Sequence, residues 1–392
     1  MADLFEAPTL DAHDSEVIEE ITSIRRDLAW TMRAPKRWGG GLRRTAQARA
    51  IQGSNTIEGY TVTDQDAVAA VDDEAPLTAD QHTWAEILGY RRVLTYVLNV
   101  ATEPGFTADA AVLKSMHFML LEHELTKSPG RYRSTDIYVR DDTSDRTVYQ
   151  GPDPEAVPAL IQSLAADLSQ PGKVDPLVKA TMAHLNLVMI HPFRDGNGRM
   201  ARALQTLVLA QDDVLEPTFS SIEEWLGHNT DDYYRVLAAT GSGSWQPQRS
   251  AHLWVKFNLR AHHMQAQTQQ RRFAEAEQQW AAIDELILAH EAPIRVADAL
   301  FDALLGLRLT KSSYLKRTGL EGRTATRDLR RLVASGLLQT NGQTRGTYYT
   351  AGEDLVARAR SIRSGRPPLA DPYPALMDEI NRHAKTKEPL HE

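Results

Sequence analysis

His191-Pro-Phe-Arg-Asp-Gly-Asn-Gly-Arg-Met-Ala-Arg202 is the stretch from which the fold and chemistry of this chain are read. An apolar helical run, Leu185–Ile190, precedes it, and Pro192 helps to end that helix. Leu204, Leu207 and Val208 follow at helical spacing, so the segment is a loop at a helix N-terminus. Gly196 and Gly198 remove side chains there, and the amides of Gly196, Asn197 and Gly198 can approach an anion closely. Unpaired N–H groups and the helix dipole favour phosphate at that end. Arg199 and Arg202, a turn apart, add two cations whose planar shape suits phosphate oxygens. Asp195 beside such a cradle would repel phosphate unless a divalent cation lies between them, so Asp195 reads as a Mg²⁺ ligand. His191 adds a titratable base a few residues away. For Gly-Asn-Gly alone, an ordinary interhelical turn with solvated arginines is the competing reading.

The whole segment resembles the signature of the Fic (Fic/DOC) family, H-x-F-x-[D/E]-G-N-G-R-x-x-R, with every defined position present. Gly130-Arg131-Tyr132-Arg133 and the hairpin that follows are similar to the family's flap. Asn229 with Tyr233-Tyr234 is similar to its downstream asparagine and paired tyrosines. The resemblance implies transfer of AMP from ATP to a Ser, Thr or Tyr hydroxyl of a target protein, and to the chain itself. In that role His191 takes the hydroxyl proton, and Asp195 holds Mg²⁺ between the α- and β-phosphates. Gly196, Asn197 and Gly198 form the anion cradle, with the Asn197 side chain near phosphate. Arg199 then contacts the β- or γ-phosphate and Arg202 the γ-phosphate. Phe193 anchors the loop in the core, and Tyr233 or Tyr234 either flanks the adenine or forms a buried aromatic pair. The target protein docks on the flap by strand pairing.

Ser54-Asn-Thr-Ile-Glu58-Gly59 resembles the family's inhibitory motif, [S/T]-x-x-x-E-[G/N]. Ser54 and Glu58 project from one face if the segment is helical; a helix ending at a glycine is the plain alternative. Its place before the core matches the subclass whose inhibitory helix is N-terminal in the same chain. The resemblance then implies a Glu58–Arg202 pair that blocks productive ATP binding. In some relatives the same glutamate supports removal of AMP.

Outward from these motifs the chain reads as mainly α. The expected organisation is an N-terminal helical region with the inhibitory motif (1–105), a Fic-type helical core with a β-hairpin flap (106–291), a winged-helix module (292–360) and a loose C-terminal tail (361–392). Val17, Ile21, Ile24 and Leu28 place the first helix after a cap at Asp14 or Ser15. Short alternating runs at Asp136–Val139 and Thr147–Tyr149, around an Asp/Thr/Ser turn, give the flap hairpin.

The 392 residues carry 44 Lys+Arg against 52 Asp+Glu, a net charge of −8 that excludes a globally basic nucleic-acid coat. Cys is absent, which excludes disulfides, thiolate metal sites and thiol catalysis. The acidic start lacks a signal-peptide pattern and no run is long enough to span a membrane, so a cytoplasmic protein is expected. A homo-oligomer is left open.

Between 311 and 346 the balance reverses: Lys311, Lys316, Arg317, Arg323, Arg327, Arg330, Arg331 and Arg345 stand against Glu321 and Asp328. Leu309–Thr318 and Thr324–Ala334 read as helix, turn, helix, followed by a hairpin with Gly342 near its tip. That order resembles a winged helix, with Arg323, Arg327 and Arg330 on roughly one face and placed for DNA phosphates. A protein-contact module with a solvated basic face is the alternative. At the level of the whole chain, the rival to an adenylyltransferase is a DNA-binding transcriptional regulator whose Fic core senses nucleotide.

Overall fold

The computed structural model describes residues 3–140, 147–170, 174–212, 214–343 and 347–385. The flap turn at 141–146, Arg345 and the end of the tail at 386–392 lie outside the described residues. The front half is helical: α1 Ala12–Met32, α2 Gly39–Ile57, α3 Asp64–Asp72, α4 Gln81–Val100 and α5 Ala110–Leu121. A hairpin of β1 Tyr138–Arg140 and β2 Thr147–Gln150 leads to α6 Val157–Ser169, α7 Pro176–Ile190 and α8 Asn197–Ala210. Then come α9 Pro217–Ser220, α10 Glu223–His228, α11 Thr230–Gly241, β3 Gly243–Ser244 and the long α12 His252–Ala289. The C-terminal part holds α13 Ala297–Leu304, α14 Lys311–Thr318, α15 Gly322–Ala334, β4 Leu338–Asn341, β5 Tyr348–Ala351, α16 Glu353–Arg363 and α17 Leu376–Lys385. No described helix is long and apolar enough to cross a membrane.

The chain is mainly α, and its centre is the α7–α8 pair. Leu177, Leu185, Leu187 and Ile190 of α7 and Met200, Leu204 and Leu207 of α8 are all fully buried. Helices apolar on nearly every side belong inside a bundle, and α4, α6, α10 and α12 supply the surrounding walls. A second apolar cluster joins Trp38 and Leu42 of the N-terminal region to Phe273 and Trp280 of α12 and to Leu300, Phe301 and Leu329 beyond it. The N-terminal region and the C-terminal module therefore share a core across the expected boundaries.

Two local expectations are corrected. The cap of α1 is Asp11, whose carboxylate accepts from the Asp14 amide while Asp14 returns the bond, a reciprocal box that starts the helix earlier. The tail is docked, not loose. Asp371 takes two bonds from Arg260 Nε and a third from Nη2, and the Tyr373 hydroxyl donates to the fully buried Asp14 at 2.9 Å. Leu376 and Ile380 are buried where α17 packs on α11. Apolar residues one helical turn apart were enough to seat a segment whose overall composition reads as polar.

The hairpin forms as expected, with Val139 opposite Tyr149 and an irregularity between Val139 and Arg140. Strand β3 pairs parallel to β2, giving the order β1-β2-β3 and leaving β1 at the edge.

Candidate active site

Pro192 ends α7, and His191 turns the chain as its C-terminal cap with φ 51, a left-handed conformation that costs a side-chain-bearing residue energy. The turn is held because the His191 amide donates to Leu187 at 3.0 Å and Arg133 Nε donates to the His191 carbonyl at 2.8 Å. Nδ1 of His191 lies 3.1 Å from the Val188 carbonyl. A carbonyl can only accept, so the proton sits on Nδ1 and Nε2 keeps its lone pair. Burial pushes the imidazole pKa down to about 4, so the ring is a neutral base at pH 7. It lines a cavity of about 790 Å³ together with Glu58, Gly198, Val139, Tyr149 and Tyr234.

The loop after His191 is a fixed scaffold. The Asn197 side chain accepts from the Phe193 amide and donates to the Phe193 carbonyl, both at 2.9 Å. The side chain thus braces the loop across four residues. Phe193, fully buried, stacks on His117 of α5 with centroids 3.7 Å apart and planes within 4°. His117 accepts from the Gly130 amide at 2.8 Å and donates from Nε2 to the Asp195 carbonyl at 3.0 Å, tying the loop to the start of the flap. Arg133 adds bonds to the carbonyls of Ile190, Thr135 and Pro152. The contacts of His117 with the Asp195 carbonyl and of Arg133 with the His191 carbonyl span 78 and 58 residues, and no spacing in the sequence marks either. Gly196, at φ 74, caps α8, whose first-turn amides have no intrahelical acceptors.

The charges around this loop are already paired. Arg202 donates from Nε to Ser54 Oγ at 2.8 Å and from Nη2 to the Ser54 carbonyl at 2.9 Å and to Glu58 Oε1 at 2.5 Å. Its Nη1 is buried without a partner among the described residues. A Cβ on residue 198 would overlap Glu58 Oε1, so the glycine leaves the space the glutamate fills. The glutamate arrives there because α2 crosses α10 backbone to backbone. A Cβ on Gly227 would come within 2.6 Å of the Gly53 Cα, so neither position tolerates a side chain at this approach. Asp195 receives the Lys127 ammonium at 2.6 Å and the Gly196 amide at 2.6 Å. Burial raises its pKa and these donors outweigh that, so the carboxyl sits below its ordinary value. An ionised, half-exposed carboxylate that already draws a cation fits one protein ligand of a Mg²⁺ ion completed by phosphate and water.

Arg199, Tyr233 and Asn229 are each engaged by the protein itself. Arg199 is buried and bonded to the equally buried Glu86 of α4, which His123 Nε2 also approaches at 3.2 Å. Phosphate can reach that guanidinium only if the pair opens. Tyr233 is 1% exposed and bonded to His184 at 3.0 Å, while half-exposed Tyr234 donates to the Ile57 carbonyl; both line the cavity. Asn229 caps the α10–α11 junction by donating to the Trp225 carbonyl at 2.7 Å.

Burial holds His117, His184 and His191 at about 4, 3 and 4, all below the 6.5 of an exposed imidazole. The unfolded chain therefore binds more protons than the native one below pH 6.5. Stability is at its plateau above that pH and falls as pH drops toward 4, by about 3 kcal/mol for each such histidine. Calorimetric Tm values at pH 7.5, 6 and 5 should decline in step; a flat series would remove the neutral-imidazole assignment.

The segment that carries this loop is similar to known proteins. Residues 107–209 match the family model described as Fic/DOC family. The chain is 27% identical over 245 residues to "Protein adenylyltransferase Fic" of Nematostella vectensis, covering 61% of this chain and 54% of that protein. It is 26% identical over 157 residues to a probable protein adenylyltransferase of Aquifex aeolicus, covering 39% and 47%. The chain thus spans about half the length of these curated relatives, or less. Among solved structures, a Fic family protein from Desulfovibrio desulfuricans G20 superposes with a TM-score of 0.56 at 25% identity, covering 88% of this chain and 98% of that one. Fic-1 of Caenorhabditis elegans shares the fold, with a TM-score of 0.52 at 20% identity over 67% and 72% of the two chains.

Proposed function

We propose that this chain, a Fic/DOC-family protein by the domain spanning residues 107–209, transfers AMP from ATP to a Ser, Thr or Tyr hydroxyl of a target protein and of itself, restrained by its own Glu58. One observation carries the reading: a neutral imidazole with its proton fixed on Nδ1 offers Nε2 to a cavity that also holds Gly198 and Glu58. In the reaction His191 Nε2 accepts the hydroxyl proton as the oxygen attacks the α-phosphorus. The bond from that phosphorus to the bridging oxygen breaks, and pyrophosphate leaves. The first-turn amides of α8 and the Arg202 guanidinium meet the charge that grows on the leaving group. Asp195 would hold Mg²⁺, which would supply positive charge against the phosphates. The target enters as an added strand on the free edge of β1, beside cavity residues Val139 and Val148.

The test is incubation with ATP labelled on the α-phosphate or, separately, on the γ-phosphate, with Mg²⁺ and a cell lysate. Label should enter protein only from the α position. Incorporation from the γ position instead would make the chain a kinase and overturn the reading.

A further inference from the structure

We infer that the outer face of α15 is a docking surface for double-stranded DNA, separate from the adenylyl-transfer site. Helix α14 begins at a reciprocal Thr310/Ser313 cap and ends at Gly319 in a left-handed turn, and α15 follows after a short connection. The β4–β5 hairpin packs behind α15, and Leu309 bridges to Tyr349 beside it. On α15, Ala325, Leu329 and Leu332 face inward. So does its acid: Asp328 is 3% exposed and takes two bonds from Arg295 at 2.8 Å and one from the Tyr314 hydroxyl at 3.1 Å. With the carboxylate neutralised inside, exposed Arg323, Arg327 and Arg330 stand outside with half-exposed Thr326 between them.

These side chains and Lys311, the first residue of α14, line an open notch of about 440 Å³ in which the remaining lining residue is Gly322. No acid lines it. Among the described residues none of the four cations is in an ion pair, whereas Arg317 and Arg331 nearby are each bonded to the protein. The arrangement is unfavourable for the isolated chain. Like charges at i,i+3 and i,i+4 repel by about 0.2–0.5 kcal/mol per pair, and Arg323 sits in the first turn, where the helix dipole disfavours a cation. A polyanion reverses both costs.

Duplex DNA fits better than an acidic protein because the cations run along one exposed helix. Thirteen residues make a rod of about 20 Å, which a major groove about 12 Å wide admits. Lys311 at the start of α14 is placed for the flanking phosphates, as the first helix of such pairs crosses the backbone.

Fluorescence anisotropy of the full chain with a labelled random-sequence 24-base-pair duplex, from about 50 to 200 mM salt, tests this. Wild type should bind, with log Kd linear in log salt. The triple variant R323A/R327A/R330A should bind at least about tenfold more weakly, with the salt slope lowered by about three. Its AMP incorporation should match wild type, and an unchanged Tm shows that it is folded. No binding at the lowest salt, equal binding by the triple variant, or displacement of the duplex by polyglutamate as readily as by unlabelled duplex would each overturn the inference.

Discussion

On the proposed function, His191→Ala should lower the rate of AMP transfer about 10²–10⁴-fold, the usual contribution of a positioned general base, while ATP affinity should stay near that of wild type. The split follows from where the ring is held. Nδ1 is committed to the Val188 carbonyl, which leaves Nε2 for the cavity, and in the proposed reaction its partner would be the acceptor hydroxyl, not a phosphate. The groups proposed to meet phosphate, the α8 amides and Arg202, are fixed by Gly196 and Ser54 and should keep their places without the imidazole. Single-turnover incorporation and nucleotide titration on the same variant read the two effects separately. A variant with wild-type turnover would strip His191 of its role; one that lost nucleotide binding first would make it a binding residue.

Glu58→Gly should move activity the other way, raising AMP incorporation, self-modification included, by at least a few tens of fold. Arg202 is fully buried and Glu58 mostly so, and deleting one partner of such a pair costs about 3–5 kcal/mol. Phosphate bound to the freed guanidinium recovers that cost, whereas in the intact chain it must compete with the carboxylate. At about 1.4 kcal/mol per tenfold, even part of this energy reaches tens of fold. Ser54 matters to the outcome. It holds Arg202 through Nε and Nη2 independently of Glu58, so the cation remains aimed at the site after the glutamate is gone. The unpartnered Nη1 is then joined by a second free donor. Release of inhibition cannot replace the base, so the gain should vanish in a Glu58→Gly, His191→Ala double variant. Equal incorporation by wild type and Glu58→Gly would reduce Ser54–Gly59 to an ordinary helix end.

The division between what was legible in the chain and what was not follows the range of the interactions. The loop from His191 to Arg202 reads directly because its chemistry is local. A helix end, two glycines and the next helix start fix the amide cradle within twelve residues, whatever surrounds them. The helical core, the flap hairpin and the helix–turn–helix order near the C-terminus follow from periodicity for the same reason. Short α3 escaped because nine residues carry too little periodic signal.

Partner choice, by contrast, was settled only by packing. Asn197 looks like a phosphate ligand until its amide is seen closing on Phe193, and Arg199 looks free until Glu86, 113 residues away, meets it in the interior. His117 and Arg133 acquire their work from contacts 78 and 58 residues distant, and α17 from an apolar groove formed by helices that precede it by more than a hundred residues. The sequence by itself determined the mainly α class of fold and singled out His191, the loop from Gly196 to Gly198 and the carboxylate that meets Arg202. Tertiary structure alone decided which charges are free to meet a ligand, because a buried ion must be paired with whatever partner the fold brings beside it.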